Sequence, residues 1–445
     1  MDGERMMHQK IKKIIYCLVL VVCFVCSLNI ARASHNTSRY FPFLEKTTNY
    51  VIKNRSHINP EYFYTSASTA FVPGKSHGGI PELNGFYDLK DVINSLQVVR
   101  AAQGVVVDPV NEVTGSNQYS GKSAVFAVSG KVRSQGLYLS YEQDLKRYGF
   151  SVGASLPIMH VNTASRFAFK PQLSDVLFQS VGLTPEARAQ QVLVLDQIRR
   201  QTHQDIGFKG NEWSKTGLGD LDAHVRWNYL FDHALLMRSI DFNILFGVTA
   251  PTGTLSNINY PSAVSFMGNG HWSLYFDIMS EFELKQDWKV GLILGFMDQL
   301  KHTRTLRIPV TTEPAIFSAL IGRIKIDPGF TFKASPYVIL ENLTDGLHFQ
   351  VRYTYLRHNQ DSWNDKRVDM TVQSYLQKDA CTIAFKKKLS KWRSQYMTFQ
   401  LTYDAKEAMK KWFMDPYLYI SYDMPFGGNG IAKTHQLSIG AEFHF

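Results

Sequence analysis

Beyond its first 33 residues the 445-residue chain has no run of 18 apolar residues and only one cysteine, Cys381. The first absence excludes a protein that crosses a membrane with several helices, because each such helix needs about 20 mostly apolar residues. The second excludes an internal disulfide once the leading segment, which holds Cys17, Cys23 and Cys26, is gone. Metal-ligand spacings, glycine-rich phosphate loops and nucleic-acid-binding motifs are missing too, and the 14 histidines are scattered. No cofactor, no metal and no nucleic-acid partner is therefore expected. A net charge of +10 is modest for this length. It suits solubility, or attraction to an anionic lipid surface such as lipopolysaccharide.

What is present begins with a leader. Lys10, Lys12 and Lys13 precede the apolar run Ile14 to Leu28, and Ala31-Arg32-Ala33 offers the small residues that a signal peptidase accepts. Residues 1–33 read as a signal peptide cut after Ala33, with Met6 and Met7 as alternative starts. The competing reading is a retained anchor, since the run approaches the length of a spanning helix.

The rest alternates with a period of two. Leu437, Ile439, Ala441, Phe443 and Phe445 interleave with Ser438, Gly440, Glu442 and His444, which gives one apolar and one polar strand face. Ile240, Phe242, Ile244, Phe246 and Val248 do the same, as do Trp288, Val290, Leu292, Leu294 and Phe296. Twelve such stretches are expected, at 121–131, 135–143, 147–159, 219–231, 238–250, 271–284, 287–298, 329–340, 346–357, 395–404, 416–425 and 434–445. Most have the roughly 9 to 13 residues with which a tilted strand crosses a hydrocarbon layer. Short and long connections largely alternate between them. Aromatic residues make up 13% of the chain while mean hydropathy is only -0.18, as a sheet with one lipid face and one wet face requires. The fold class expected is all-β: a transmembrane, antiparallel, up-and-down barrel over residues 121–445. Fourteen strands result if Leu96 to Gly104 and Asp369 to Leu376 also span. Tyr148, Tyr229, Phe282, Trp288 and Phe445 would form an aromatic girdle at one interface, and Trp272 and Tyr355 at the other.

Two segments stand apart. Residues 34–120 read either as a plug in the lumen or as an extension outside it. Thr184-Pro185-Glu186 opens a helical stretch within the long loop His160 to Gly217, where Val192, Leu195 and Ile198 recur at helical spacing. That helix would either constrict the mouth or cap it.

Thr216-Gly217-Leu218-Gly219-Asp220-Leu221, Phe246-Gly247-Val248-Thr249-Ala250-Pro251-Thr252-Gly253 and Gly268-Asn269-Gly270-His271-Trp272 form a series. It resembles the outer-membrane barrels of the phenol-degradation meta-pathway transporter-like family, over roughly residues 135–300. The resemblance implies a channel for small solutes, apolar or aromatic ones among them. Read physically, Gly217, Gly219 and Asp220 enter a strand and Pro251, Thr252 and Gly253 leave one, so they are rim devices.

The polar face of the strands assigns Asp222, His224, Arg226, Asp241, Asp277, Glu281, Glu283, Lys289, His348, Arg352 and Glu442 to the lumen. Both signs of charge suit a wet, selective bore or one closed by cross-lumen pairs. Phe443 and Phe445 match the terminal signature that a bacterial barrel-assembly machinery reads. The expected function is an outer-membrane channel for small solutes, and the alternative is a surface adhesin or structural barrel. Phospholipase-like chemistry has only His271-Trp272-Ser273 and His358 to Ser362 to draw on, without a surrounding motif, so no catalytic residue is assigned.

Overall fold

The computed structural model describes residues 38–41, 43–44, 56–102, 122–145, 149–174, 184–232, 237–310, 312–366, 387–405 and 415–445. Twelve antiparallel strands close into a barrel. In chain order they are β1 (His57–Ala67), β2 (Val125–Asp144), β3 (Phe150–Phe169), β4 (Leu221–Asp232), β5 (Ser239–Ala250) and β6 (Ser273–Lys285). They continue with β7 (Trp288–Gln299), β8 (Thr331–Thr344), β9 (Leu347–His358), β10 (Trp392–Asp404), β11 (Asp415–Asn429) and β12 (His435–His444). Each pairs with the next. β12 returns to β1, with His57 opposite His444 and Tyr64 opposite Leu437, so the main sheet closes on itself.

The expected count of twelve is reached by a different route. β1 lies inside the segment 34–120 that the sequence sets apart from the barrel, and Pro60, its fourth residue, hides it, because proline argues against a strand interior. Conversely, the stretches expected at 121–131 and 135–143 are one strand, β2. Its pattern inverts partway. Near the end that carries Phe445, Leu137 and Tyr141 point outward and Glu142 inward, whereas farther up Phe126, Val128 and Val132 are buried inward and Lys131, Arg133 and Gln135 are exposed. Above the lipid belt the outward face meets water and the inward face meets packed loops, so a single strand reads as two pieces with opposite polarity. Leu96 to Gly104 is not a strand either, because Leu89–Ala102 forms helix α1. The leader 1–33, Tyr148, Asp369 to Leu376 and Cys381 lie outside the described residues.

Short turns join β2 to β3, β4 to β5, β6 to β7 and β8 to β9 at the end that carries Phe445. Long loops gather at the other end. One carries the expected helix, α2 (Pro185–Asp205), whose N-cap Thr184 accepts a hydrogen bond from the Ala187 N–H at 3.3 Å. The outward residues form an apolar belt that includes Val225, Phe246, Leu292, Val338, Ile420 and Ile439. Tyr229, Trp288 and Phe445 are exposed at its lower rim and Trp272 at its upper one, where amphipathic rings suit an interface.

Candidate functional site

Strand alternation turns all of the charged positions expected in the lumen towards the inner face, and most of them meet partners there. Glu142 bridges Arg226 at 3.0 Å and His224 at 3.5 Å, and His224 also lies 3.1 Å from Asp222. Asp277 pairs with Lys333 at 2.9 Å, and Lys289 reaches Glu341 at 2.8 Å and Glu281 at 3.6 Å. Asp241 accepts from Asn228 at 2.6 Å, Glu442 meets His444 at 2.8 Å, and Glu283 meets Arg238 at 3.4 Å on the more open lower rim. Arg352 is 2% exposed beside Tyr337 and Thr398, and His348 is partly buried. Charges so confined are held by each other and by hydrogen bonds, so they line the lower bore as a network that runs from strand to strand along its wall.

Three tyrosines fill it further by one device. Tyr275, Tyr337 and Tyr419 each stand directly opposite a glycine of the neighbouring strand, Gly247, Gly291 and Gly440. A Cβ at those glycines would come within 2.3, 2.1 and 2.3 Å of the ring, so only glycine lets the ring lie across the strand. Each hydroxyl then donates to a carboxylate: Tyr275 to Asp222 at 2.9 Å, Tyr337 to Glu281 at 2.9 Å and Tyr419 to Glu61 at 2.8 Å.

The upper bore is closed by chain rather than by charge. Residues 38–41 and 43–44 lie inside the barrel, where the Phe43 ring packs edge-on against inward-facing Phe63 at 5.1 Å. The Arg39 guanidinium donates to the carbonyls of Gly430 and Leu83, and Thr434 donates to Tyr40 O. Above this, Tyr87, Phe126, Phe167, His203, Phe208 and Phe317 form one aromatic cluster. Phe126 and Phe167 belong to β2 and β3, whereas Phe317 comes from the β7–β8 loop on the far side of the barrel. Their contact therefore spans the mouth. Buried Arg307 fastens the same place: it donates to Ile258 O at 2.6 Å, Ser318 O at 2.7 Å and Ile206 O at 3.4 Å, and it stacks over Phe208 at 4.3 Å. Burial lowers its guanidinium to about 10, which leaves it charged at neutral pH. The Tyr87 hydroxyl and His203 Nε2 share a hydrogen bond of 2.8 Å, and burial, with Arg199 and Arg307 nearby, lowers the His203 imidazole to about 3.

Between cap and bore lies a cavity of about 220 Å³ lined by Arg39, Tyr40, His271, Arg304, Asp361, Trp363 and Trp392 among others. A cavity near 150 Å³ accepts benzene, so this one has the size for a single-ring solute. His358 on its wall is committed at both ring nitrogens, to Asp361 at 2.9 Å and Thr331 at 2.8 Å, and it stacks on Trp392. Burial alone would raise the Asp361 carboxyl, but His358, the Gly329 N–H and Trp363 hold it below the usual range. That arrangement orients the ring and leaves it no free nitrogen for proton transfer to a solute.

A larger cleft, about 940 Å³, opens at the outer rim of the wall. Arg357 and Arg393 stand side by side on the outward face of β9 and β10, and Lys75, Lys388 and Lys391 join them with Phe86 and Tyr355.

The rim motif is built around Asp220. Its carboxylate accepts the Gly253 N–H at 2.8 Å and the Gly268 N–H at 2.7 Å, so one buried side chain ties the strand entry to two points of the β5–β6 loop. Thr252 accepts from the Leu221 N–H and donates to Gly219 O, beside Pro251. Gly217 and Gly219 pack too closely against Thr254 and Pro157 to carry a Cβ. The strand Glu212–Leu218 continues the wall above β4, with the register on β3 slipping by one residue across Gly219-Asp220.

Sequence reasoning missed Glu61, Glu142, Lys333 and Glu341, and the cap residues Tyr87, His203, Arg307 and Phe317. For the cap a signal existed: Phe126 and Phe167 are large apolar residues on the face that is polar lower down.

No protein-family model matches the chain, and no curated protein matches it in sequence. Among solved structures it is similar to the COG4313 outer membrane channel from Pseudomonas putida F1, with 10% identity, 90% of this chain and 100% of that chain covered, and a TM-score of 0.45. It is similar to the translocator domain of autotransporter NalP from Neisseria meningitidis, at 8% identity over 89% and 90% of the two chains with a TM-score of 0.34. It is also similar to the CymD monoaromatic hydrocarbon channel, at 8% identity over 88% of each chain with a TM-score of 0.28.

Proposed function

We propose that the chain is an outer-membrane channel of a Gram-negative-type bacterium that admits small apolar or single-ring solutes through a gate of loops at its outer mouth. The observation that carries this reading is the 220 Å³ cavity with two tryptophans and a tyrosine on its wall, beside Arg39, Tyr40 and the loops at the mouth. A barrel of twelve strands has a narrow interior, so passage requires that something move. Residues 38–41 and 43–44 and the Arg307-fastened loops of the cap belong to no strand of the barrel, and they are the moving parts in this proposal. Arg39 and Arg304 on the same wall favour solutes with an acidic group on the ring.

The expected partners follow the same reading. Phe443 and Phe445 face outward at the free end of β12, where an assembly machine meets the terminal strand. The basic outer cleft lies where anionic lipopolysaccharide headgroups sit. The adhesin reading draws support only from the long outer loops, which a gate also requires. The test is flux of benzoate or toluene into proteoliposomes, comparing residues 34–445 with residues 45–445. Faster flux through the shorter chain is expected. No flux through either sinks the channel reading.

A further inference from the structure

The seam where the barrel closes carries a cluster that the bore does not otherwise use. His57 on β1 stands opposite His444 on β12, their rings 5.4 Å apart, and Glu442 lies two residues before His444 on the same inner face. One ligand atom from each of the three falls within 4.8 Å of the others. Glu442 is 2% and His444 3% exposed. The His444–Glu442 contact of 2.8 Å uses one atom of each, while His444 Nδ1 and Glu442 Oε2 are buried with no hydrogen-bond partner. Each member of the pair thus keeps one further buried atom able to act as a ligand. The Tyr417 ring packs edge-on against His444 at 5.3 Å and limits how far that imidazole turns away.

We infer that His57, Glu442 and His444 form a binding site for one divalent transition-metal ion, of which zinc fits best. Two imidazoles and one carboxylate are the borderline donors zinc takes, and calcium and magnesium would ask for more oxygens. Three protein ligands leave the fourth tetrahedral position to a water on the bore side. Two of the ligands come from the last strand and one from the first, so the ion would bolt the junction at which the barrel closes. Its consequence is a stabilised seam: the ion binds the closed barrel and not the separated strands, and so it shifts the equilibrium towards closure.

The test uses refolded residues 34–445 in detergent at neutral pH, with zinc as the probe in titration calorimetry. The midpoint of heat-modifiable gel migration is read in parallel. One zinc per chain is expected, with a higher midpoint in its presence. Glu442→Gln, nearly isosteric and able to keep its contact with His444, and His57→Asn are each expected to weaken binding by at least about 100-fold, the upper end for loss of a mere supporting residue. Both should also abolish the midpoint shift. His160→Gln, at a partly buried histidine on β3 outside the cluster, should change neither. The inference is overturned if the chain binds no zinc, if the two seam variants bind as tightly as the parent, or if zinc leaves the midpoint where it was.

Discussion

Arg307→Ala should open the outer cap. The guanidinium is 4% exposed and makes two short charged hydrogen bonds, to Ile258 O and Ser318 O at 2.6 and 2.7 Å, and a long one to Ile206 O at 3.4 Å. A net contribution of about 1.5 to 3 kcal/mol for each short bond gives about 3 to 6 kcal/mol. Removing the side chain also removes the cost of burying its charge, so the lower end applies, about 3 kcal/mol. At 1.4 kcal/mol per factor of ten, the open population of the cap should rise roughly 100-fold. Arg307→Lys keeps the charge but cannot reach three carbonyls at once, so it should fall between. The assay is limited proteolysis of the refolded barrel in detergent, with cleavage followed within residues 300–330, and channel recordings on the same samples. If Arg307→Ala is cut no faster and conducts no more often than the parent, the three loops are not fastened by this residue and the gate lies elsewhere.

Acid should loosen the same cap. The His203 imidazole sits at about 3 when the cap is closed and near 6.5 when it is open, so above pH 6.5 both states are neutral and the cap keeps its full stability. Below that only the open state takes up the proton. Cap stability then falls by about 1.4 kcal/mol per pH unit until pH 3, and by roughly 2 kcal/mol at pH 5. Proteolytic protection at pH 7.5 and 5 measures this, and a His203→Gln chain whose pH dependence matches the parent would refute it. Gly247→Val should drive a side chain into the Tyr275 ring, at a cost of about 1 to 3 kcal/mol. Urea unfolding in micelles reads the loss, and an unchanged midpoint would show that the ring has room to move. Arg357→Glu with Arg393→Glu should strip co-purified lipopolysaccharide from the barrel, as read by phosphate content. Full retention would mean that the outer cleft does not hold lipid phosphate.

The barrel was legible in the sequence wherever a strand has lipid on one side and bore on the other, as in β5, β7 and β12, because a period of two then reports both environments. It became illegible where the environment changes along one strand. β2 crosses from lipid to water, its outward residues change from Leu137 and Tyr141 to Lys131 and Arg133, and one strand was read as two. β1 was hidden by Pro60. Of the candidate site, alternation placed the inner charges but could not name their partners, since Lys333, Glu341 and Glu142 become neighbours only when the register between strands is known. Of the cap only the change to apolar Phe126 and Phe167 on the inner face was legible: Tyr87, His203 and Phe317 lie more than 100 residues apart in the chain and meet only because the barrel brings their loops to one end.

The most direct measurement is single-channel conductance of refolded residues 34–445 in planar bilayers, with heat-modifiable migration confirming that the barrel has folded. Discrete, infrequent openings are expected, shortened by millimolar benzoate and made more frequent by Arg307→Ala. A folded barrel that never conducts, with or without Arg307, would contradict the account of a loop-gated channel.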